Sequence, residues 1–170
     1  GGATRTLRCL YDAAGNVVQV NLNGVVTLQY LYDLRDRVTT ITDRRTNRTV
    51  SISYDGASRP VTVRPTNGLT KSITYGGRGQ IASIRIVNAQ SESIFDRSYS
   101  HDPNLNLTEV RDELGILETY TYDSRQRIQS ATYRGGGYET FSYDANDNIL
   151  NHATNVSNDT FTYDPSDQLL

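Results

Sequence analysis

Apolar and polar side chains alternate with a period of two in short stretches along the chain, and each stretch ends on an aromatic residue. Residues 118–122, Glu-Thr-Tyr-Thr-Tyr, show the pattern clearly. A two-residue period that is rich in β-branched and aromatic residues predicts a strand with one buried face. Apolar residues at helical spacing are absent from the sequence, so we expect an all-β chain.

An Asp follows most of these aromatic residues and opens a short phrase that predicts a tight turn. Asp is favoured at the first position of a type I turn, and a left-handed residue after that turn completes a common hairpin loop. Gly15 suits the left-handed position, whereas Leu105 and Gln126 carry a Cβ atom that resists a positive φ. We therefore expect strain or a different loop in those two hairpins. The structural motif consists of Tyr11, Asp12, Gly15, Tyr32, Asp33, Tyr54, Asp55, Tyr75, His101, Asp102, Tyr122, Asp123, Tyr143, Asp144, Tyr163 and Asp164.

A second strand is predicted after each turn. Its apolar residues lie three positions apart, as in Val17 and Val20, which breaks the two-residue period and predicts a bulge. Asn23-Gly24 is a strong signal for the hairpin that returns the chain. The fourth unit is about five residues longer than the others, so we expect a protruding loop around residues 87–95.

The phrase starts at residues 11, 32, 54, 75, 101, 122, 143 and 163. A fixed period in this range indicates a repeat architecture, in which each unit buries its face on its neighbours. We therefore expect residues 1–170 to form one array of about eight repeats. Their hairpins would pair into one continuous, twisted and spiralling antiparallel sheet of roughly 16 strands, with the Tyr, Phe, Ile and Val face buried and the Thr and Ser face in water.

Composition excludes several classes of partner. The net charge is −2 and the pI about 5.6, so we expect neither nucleic acid nor an anionic membrane as a partner. The sequence has no apolar run long enough to cross a bilayer, and its single cysteine, Cys9, excludes an intrachain disulfide. The chain lacks an initial Met and stops within a repeat, so we expect a piece of a longer protein whose exposed strand edges favour self-association.

The residues with possible chemistry have structural explanations. One Asp per hairpin is what the turn requires, rather than a catalytic carboxylate pair. Residues 144–148 faintly resemble a calcium loop but lack the required Gly and Glu. His101 and His152 occupy strand positions and suggest no catalytic triad. We therefore expect no catalytic, metal-binding or cofactor-binding residue, no cofactor and no enzymatic activity.

The phrase resembles the YD repeat of the Rhs family, Tyr-Asp-x-x-Gly-Arg-Leu, over the whole chain. Six of the eight starts keep Tyr-Asp, while Gly76 replaces the Asp once and His101 replaces the Tyr once. Arg37, Arg59 and Arg127 stand at the position of the family's Arg. Eight copies in register make the resemblance specific.

The resemblance implies a spiralling β-shell like those of bacterial polymorphic toxins, toxin-complex proteins and teneurins. In the toxins the shell encloses a C-terminal toxic domain, so the implied function is a non-enzymatic wall segment of an exported protein, with the encapsulated toxin polypeptide as its partner. The teneurin resemblance implies the alternative of an extracellular adhesion or glycan-binding module. Roughly 16 strands spaced about 4.8 Å apart make a ribbon about 75 Å long. Rolled into one ring, this ribbon would have a diameter of about 25 Å, which is too small to enclose a domain more than about 30 Å across.

Overall fold

The computed structural model of the protein describes residues 5–170, and every regular element among them is a β-strand. The strands belong to one antiparallel sheet and follow one another in chain order, which confirms the all-β hairpin fold. Their bounds are β1 (Leu7–Tyr11), β2 (Val17–Leu22), β3 (Val25–Tyr32), β4 (Val38–Asp43), β5 (Arg48–Tyr54), β6 (Pro60–Pro65), β7 (Thr70–Tyr75), β8 (Ile81–Val87), β9 (Ser93–His101), β10 (Leu107–Asp112), β11 (Gly115–Tyr122), β12 (Ile128–Tyr133), β13 (Tyr138–Tyr143), β14 (Ile149–Thr154) and β15 (Asn158–Thr160).

The described residues form 15 strands, one fewer than the sequence suggested. In the eighth hairpin, Tyr163 and Leu169 form an isolated β-bridge instead of a full pair of strands. A ladder needs several consecutive residues on each strand, and only Leu169 and Leu170 follow the last turn.

In six hairpins that close with a Tyr-Asp or His-Asp turn, the register shifts next to that turn. Tyr11 pairs with Val17, whereas Leu10 pairs with Gln19, so Val18 is an extra residue on β2. Equivalent shifts occur in the hairpins β3–β4, β5–β6, β9–β10, β11–β12 and β13–β14. The bulge predicted from the sequence is therefore confirmed, and it returns the next apolar side chain to the face of the aromatic residue.

Contacts divide the described chain into two compact units. The first unit extends to Tyr75 and includes Ser83–Asp96, and the second comprises Gly76–Ala82 and Arg97–Leu170. In the first unit, the tip of the segment that joins β8 to β9 lies against the β6–β7 turn. A Cβ atom added to Gly68 would lie 3.0 Å from the Cβ atom of Ala89, so this position accepts little more than a glycine.

The extra residues of the fourth unit form no protruding loop, which corrects the expectation from the sequence. Strands β8 and β9 contain seven and nine residues, and only residues 88–92 separate them. Asn88 Oδ1 accepts hydrogen bonds from the N–H groups of Gln90 and Glu92 at 3.0 and 2.9 Å, and Ser91 is left-handed with a φ of 67°. An Asn turn therefore closes this connection tightly, and the additional residues lengthen the strands.

The apolar face is only partly covered, which corrects the expectation of a buried face. Among the described residues, the buried apolar side chains are Val110 and Ala131, with 6% and 3% of their surface exposed, whereas Tyr11 is 61% exposed. All the described strands belong to one sheet, so no helix or second sheet packs on this face. Its side chains are covered by their neighbours within the sheet.

Candidate functional site

The Asp of each phrase organises its turn through its carboxylate. Asp33 Oδ1 accepts hydrogen bonds from the N–H groups of Arg35 and Arg37 at 2.9 and 3.1 Å. The N–H of Asp36 donates to the carbonyl oxygen of Asp33 at 3.1 Å and closes the turn. These bonds satisfy backbone donors that the loop leaves without strand partners. The same pair of carboxylate bonds is made by Asp12, Asp55, Asp102, Asp123, Asp144 and Asp164.

The residue three positions after the Asp is left-handed in each of these turns. The value of φ is 89° at Gly15, 71° at Leu105 and 65° at Gln126. Leu105 and Gln126 therefore keep the common loop and accept a strained conformation, rather than forming a different loop. A left-handed backbone costs an ordinary residue about 1–2 kcal/mol. The other residues at this position, all with a positive φ, are Asp36, Ser58, Asp147 and Asp167, and Gly79 is left-handed in the fourth turn, where Gly76 replaces the Asp.

An Arg four residues after the Asp connects its own turn to the next repeat. Arg37 Nε donates to Asp33 Oδ2 at 2.7 Å, and Nη2 lies 2.6 Å from the same oxygen. Arg37 Nη1 donates to the carbonyl oxygen of Asp55 at 3.2 Å, and the guanidinium carbon lies 4.6 Å from the ring centroid of Tyr54. We name this set, the Asp, its Arg and the next Tyr, the repeat clasp. Two further clasps place Arg59 over Tyr75 at 4.3 Å and Arg127 over Tyr143 at 4.4 Å.

Asparagine replaces the Arg in some repeats and keeps part of the connection. The amide nitrogen of Asn16 donates to Asp12 Oδ2 at 3.2 Å and to Asp36 Oδ1 of the next turn at 2.8 Å. Asn148 likewise donates to Asp167 at 2.9 Å. An amide therefore links consecutive turns through the left-handed Asp, without the stacking that a guanidinium provides.

The tyrosine of each phrase is hydrogen-bonded to the preceding repeat. Tyr54 Oη donates to the carbonyl oxygen of Val38 at 2.7 Å, and Tyr143 Oη donates to that of Ile128 at 2.8 Å. Tyr11 has no hydroxyl partner among residues 5–170, where no repeat precedes it. Equivalent bonds of 2.8 to 3.0 Å are made by Tyr32, Tyr75, Tyr122 and Tyr163.

The environment of the turns keeps the carboxylates ionised. The pKa of Asp33 is lowered to about 2, chiefly because the Arg37 guanidinium donates to it. Burial raises the pKa of Tyr143. Clasps therefore combine an ionised carboxylate that accepts hydrogen bonds with a tyrosine that keeps its proton. Such groups hold the structure together rather than exchange protons with a substrate. The pKa is also lowered, through donors from the residue four positions on, at Asp12, Asp55, Asp102, Asp123 and Asp144.

The fourth turn lacks the Asp, and Gln80 takes over its role. The N–H of Arg78 donates to Gln80 Oε1 at 3.2 Å, in place of the missing carboxylate. A Cβ atom added to Gly76 would lie 2.3 Å from Gln80 Nε2, so the Gln80 side chain occupies the space that an Asp would need. Arg78 Nη1 donates to the carbonyl oxygen of Pro103 in the fifth turn. This turn is closed locally but has no Asp–Arg–Tyr clasp.

The described residues contain no group of three or more His, Cys, Asp or Glu side chains that is arranged to hold a metal ion. His152 lies on β14, where its Nε2 is 2.8 Å from Glu139 Oε2 and its ring stacks on Phe141 with centroids 4.6 Å apart. His101 ends β9 and pairs with Leu107. Residues 5–170 contain no helix that is long and apolar enough to cross a membrane.

The connections between repeats were not predicted from the sequence. The Tyr hydroxyl bonds and the Arg stacking join residues 14 to 17 positions apart, so they depend on strand pairing. One signal was available: Arg37, Arg59 and Arg127 each precede a repeat that starts with Tyr.

A sheet of hairpins that pair in chain order and turn at Tyr-Asp phrases defines a class of protein, the YD-repeat β-sheet. A family model described as Teneurin YD-shell matches residues 56–170. The chain belongs to this family. No curated protein matches the chain.

Solved structures of toxin-complex proteins share the fold. TcdB2-TccC3 without its hypervariable C-terminal region matches with a TM-score of 0.79 and 16% identity over 98% of this chain. TcdB2-TccC3-TEV matches with a TM-score of 0.76 and 17% identity over 94% of this chain. The Photorhabdus luminescens Tc holotoxin pore matches with a TM-score of 0.75 and 16% identity over 92% of this chain. Such identities show the fold alone. The chain spans about 10% of the length of each of these proteins.

Proposed function

We propose that this chain is a non-enzymatic wall segment of a larger shell that encloses a toxin polypeptide of its parent protein for delivery outside the cell. The observation that carries the proposal is the repeat clasp. The Asp side chains hold turns, and all but the first of the repeat-start tyrosines hold the preceding repeat. Groups used in this way serve a continuous wall rather than a catalytic cleft.

The proposal treats residues 1–170 as one array of eight YD repeats. The turn residues and repeat-start aromatics, from Tyr11 and Asp12 to Tyr163 and Asp164, are its structural determinants. A wall of paired strands leaves no gap between neighbouring backbones, which lie about 4.8 Å apart. A polypeptide on one side would therefore be separated from proteases and targets on the other.

The enclosed cargo is inferred from similarity. One matching structure is TcdB2-TccC3 without a hypervariable C-terminal region, and another is a holotoxin pore. Both are far longer than this chain, which agrees with a segment that encloses cargo only as part of a longer wall. A second copy is a further proposed partner, because β1 and β15 end the strand order among the described residues.

A chimera tests the proposal. The chain replaces the matching segment of the TcdB2-TccC3 shell, and limited proteolysis measures how fast the C-terminal region is digested. We expect that region to stay protected, and to become accessible when Asp33→Ala and Arg37→Ala break one clasp. Digestion at the rate of the free C-terminal region would contradict the wall function. Mass spectrometry of the purified chain tests the other part, since any self-cleavage would contradict a non-enzymatic module.

A further inference from the structure

The turn between β6 and β7 contains an Asn-Gly pair whose reactive groups are unprotected. Asn67 is exposed, and its side-chain Nδ2 makes no hydrogen bond with any residue from 5 to 170. The next residue, Gly68, has no Cβ atom to shield its backbone nitrogen, and its N–H donates to none of those residues. An amide carbon followed by an unshielded backbone nitrogen is the starting arrangement for deamidation through a succinimide ring.

A hydrogen bond within the turn prepares the Asn67 side chain for this reaction. The N–H of Leu69 donates to Asn67 Oδ1 at 3.2 Å, which folds the side chain back over its own turn. An N–H in this place also stabilises the negative charge that develops on Oδ1 when the amide carbon is attacked. The geometry therefore keeps the amide group close to the Gly68 nitrogen and polarises it.

The chain contains a second Asn-Gly pair, Asn23-Gly24, which is held in a different way. Asn23 Oδ1 accepts a hydrogen bond from the N–H of Thr6 at 2.9 Å. The N–H of Asn23 donates in turn to the carbonyl oxygen of Thr6 at 2.8 Å. These two bonds fix the Asn23 side chain against the segment that leads into β1, so its amide group is not free to turn onto Gly24.

The repeat pattern explains why the two asparagines differ. Asn23 and Thr66 occupy the same position, twelve residues after the repeat starts at 11 and 54. Thr66 makes the same pair of bonds to its neighbour: its N–H donates to the carbonyl oxygen of Thr49 at 2.8 Å, and its Oγ1 accepts from the N–H of Thr49 at 3.2 Å. Asn67 follows Thr66 and therefore lies beyond the position that bonds to the adjacent strand.

An Asp-Gly pair, Asp55-Gly56, can form the same ring, but only from a protonated carboxyl group. The backbone N–H of Arg59 donates to Asp55 Oδ1 at 2.9 Å, and Arg59 Nε donates to Oδ2 at 2.8 Å. These hydrogen bonds lower the pKa of Asp55, so the group stays an unreactive carboxylate. Of the three pairs in the sequence, Asn67-Gly68 alone combines a neutral amide with a side chain that is not held by another strand.

We propose that Asn67 is a deamidation site whose product changes the backbone of the β6–β7 turn. The Gly68 nitrogen loses its proton to solvent base and bonds to the Asn67 side-chain carbon. The Cγ–Nδ2 bond breaks, and the nitrogen takes up a proton from water and leaves as ammonia. Water then opens the succinimide at either carbonyl, which gives aspartate or isoaspartate. Both products add one negative charge, and isoaspartate also adds one methylene to the main chain.

The contact between Gly68 and Ala89 gives the modification a structural consequence. A Cβ atom added to Gly68 would lie 3.0 Å from the Ala89 Cβ atom, so the tip of the β8–β9 connection lies directly against this turn. Both segments belong to the first unit. A methylene inserted before Gly68 displaces it, and the isoaspartate form loses this contact. The inference does not depend on the enclosure of a toxin.

Timed incubation of the intact chain at mildly alkaline pH, followed by peptide mapping with mass spectrometry, tests the site. We expect Asn67 to react at least about tenfold faster than Asn23 in the folded chain, because the bond to Thr6 must break before Asn23 can react. In urea the two should react at similar rates, since each is followed by Gly and an apolar residue.

Two variants separate the structural effect from the sequence effect. Asn67→Gln should stop the reaction in the β6–β7 turn, because the longer side chain would have to close a six-membered ring. Thr6→Pro removes the N–H that holds Asn23 Oδ1 and should accelerate the reaction at Asn23. Melting temperatures confirm folding, and if Thr6→Pro fails to fold, the comparison of rates in buffer and in urea decides the question.

NMR spectra of the aged chain test the structural consequence. We expect isoaspartate at position 67 to shift the amide signals of Gly68 and Ala89. Asn67→Asp is the matched control, because it adds the charge without lengthening the main chain, and it should leave the Ala89 signal in place.

Four results would overturn the proposal. Equal rates at Asn23 and Asn67 in the folded chain, or a faster reaction at Asn23, would show that the turn geometry does not select the site. Isomerisation of Asp55 as fast as the reaction of Asn67 would contradict the role of the ionised carboxylate. An unchanged Ala89 signal in the isoaspartate form would refute the loss of the contact.

Discussion

The hydroxyl of a repeat-start tyrosine is the simplest contact to remove, and Tyr54→Phe removes it alone. In the folded chain, Tyr54 Oη donates to the carbonyl oxygen of Val38 at 2.7 Å. The phenylalanine ring keeps its place beneath the Arg37 guanidinium, which stands 4.6 Å from the ring centroid. The substitution therefore leaves the stacking in place and deletes one bond between consecutive repeats.

The loss follows from the value of one hydrogen bond. A net contribution of about 0.5–1.5 kcal/mol is usual, and a carbonyl left without its donor adds to the cost. We expect the free energy of unfolding to fall by about 1 kcal/mol and the melting temperature by about 2–4 °C in a chain of this size. Urea denaturation followed by circular dichroism measures the first quantity, and a thermal scan measures the second.

Tyr11→Phe is the matched control. Tyr11 occupies the same position in the first repeat, but its hydroxyl has no partner among residues 5–170 and the residue is 61% exposed. This variant should be as stable as the wild-type chain. Equal destabilisation by Tyr11→Phe and Tyr54→Phe, or no effect of Tyr54→Phe, would refute the inter-repeat bond.

Three further predictions concern the turns. Gln126→Gly should stabilise the chain by about 0.5–1 kcal/mol in urea denaturation, because relief of a left-handed strain of about 1–2 kcal/mol exceeds the entropy cost of glycine. Gly76→Asp combined with Gln80→Arg should rebuild the missing clasp and melt at a higher temperature than either single variant. Acid should weaken the fold: the pKa of Asp33 is about 2 when folded against an ordinary 3.8, so its contribution is complete above about pH 5 and disappears as the pH falls toward 2. Denaturation at a series of pH values should show that the free energy of unfolding of Asp33→Asn changes less with pH between 2 and 5 than that of the wild-type chain.

Each of these predictions has a control. Gly15→Ala, at the position of Gln126 in the first turn, should destabilise the chain by about 1 kcal/mol, and a stabilising effect would contradict the left-handed assignment. A double variant no more stable than Gly76→Asp alone would show that Gln80 is not the obstacle. If the free energy of unfolding depended on pH in the same way for Asp33→Asn and the wild-type chain, the Asp33 carboxylate would not contribute to stability through its charge.

The turns were predictable because their chemistry is local. Asp33 bonds only residues within four positions, and Gly15 needs no partner to adopt a positive φ. The bulge was likewise visible, since Val17 and Val20 could share a face only if one residue between them was extra. These features are set by a few neighbouring residues and therefore appear in the sequence.

The unpredicted features depend on what lies beside each strand. Residues 87–95 were expected to protrude because they break the period, yet Asn88 forms an Asp-like turn that no Tyr-Asp phrase marks in the sequence. The expectation of a buried face was wrong because burial needs a second layer of structure, and the alternation of apolar and polar residues cannot show whether one exists. The stacking of Arg37 on Tyr54 depends on strand pairing across two repeats, which no local pattern reveals.

The repeated phrase holds each repeat to the preceding one and is not a row of separate sites. Hydroxyl exchange rates of the tyrosines, measured by NMR on the intact chain with labelled tyrosine rings, test this role of the phrase. We expect slow exchange at the six hydroxyls that donate to a preceding repeat, Tyr32, Tyr54, Tyr75, Tyr122, Tyr143 and Tyr163, and fast exchange at Tyr11. Uniformly fast exchange at all seven would contradict the account.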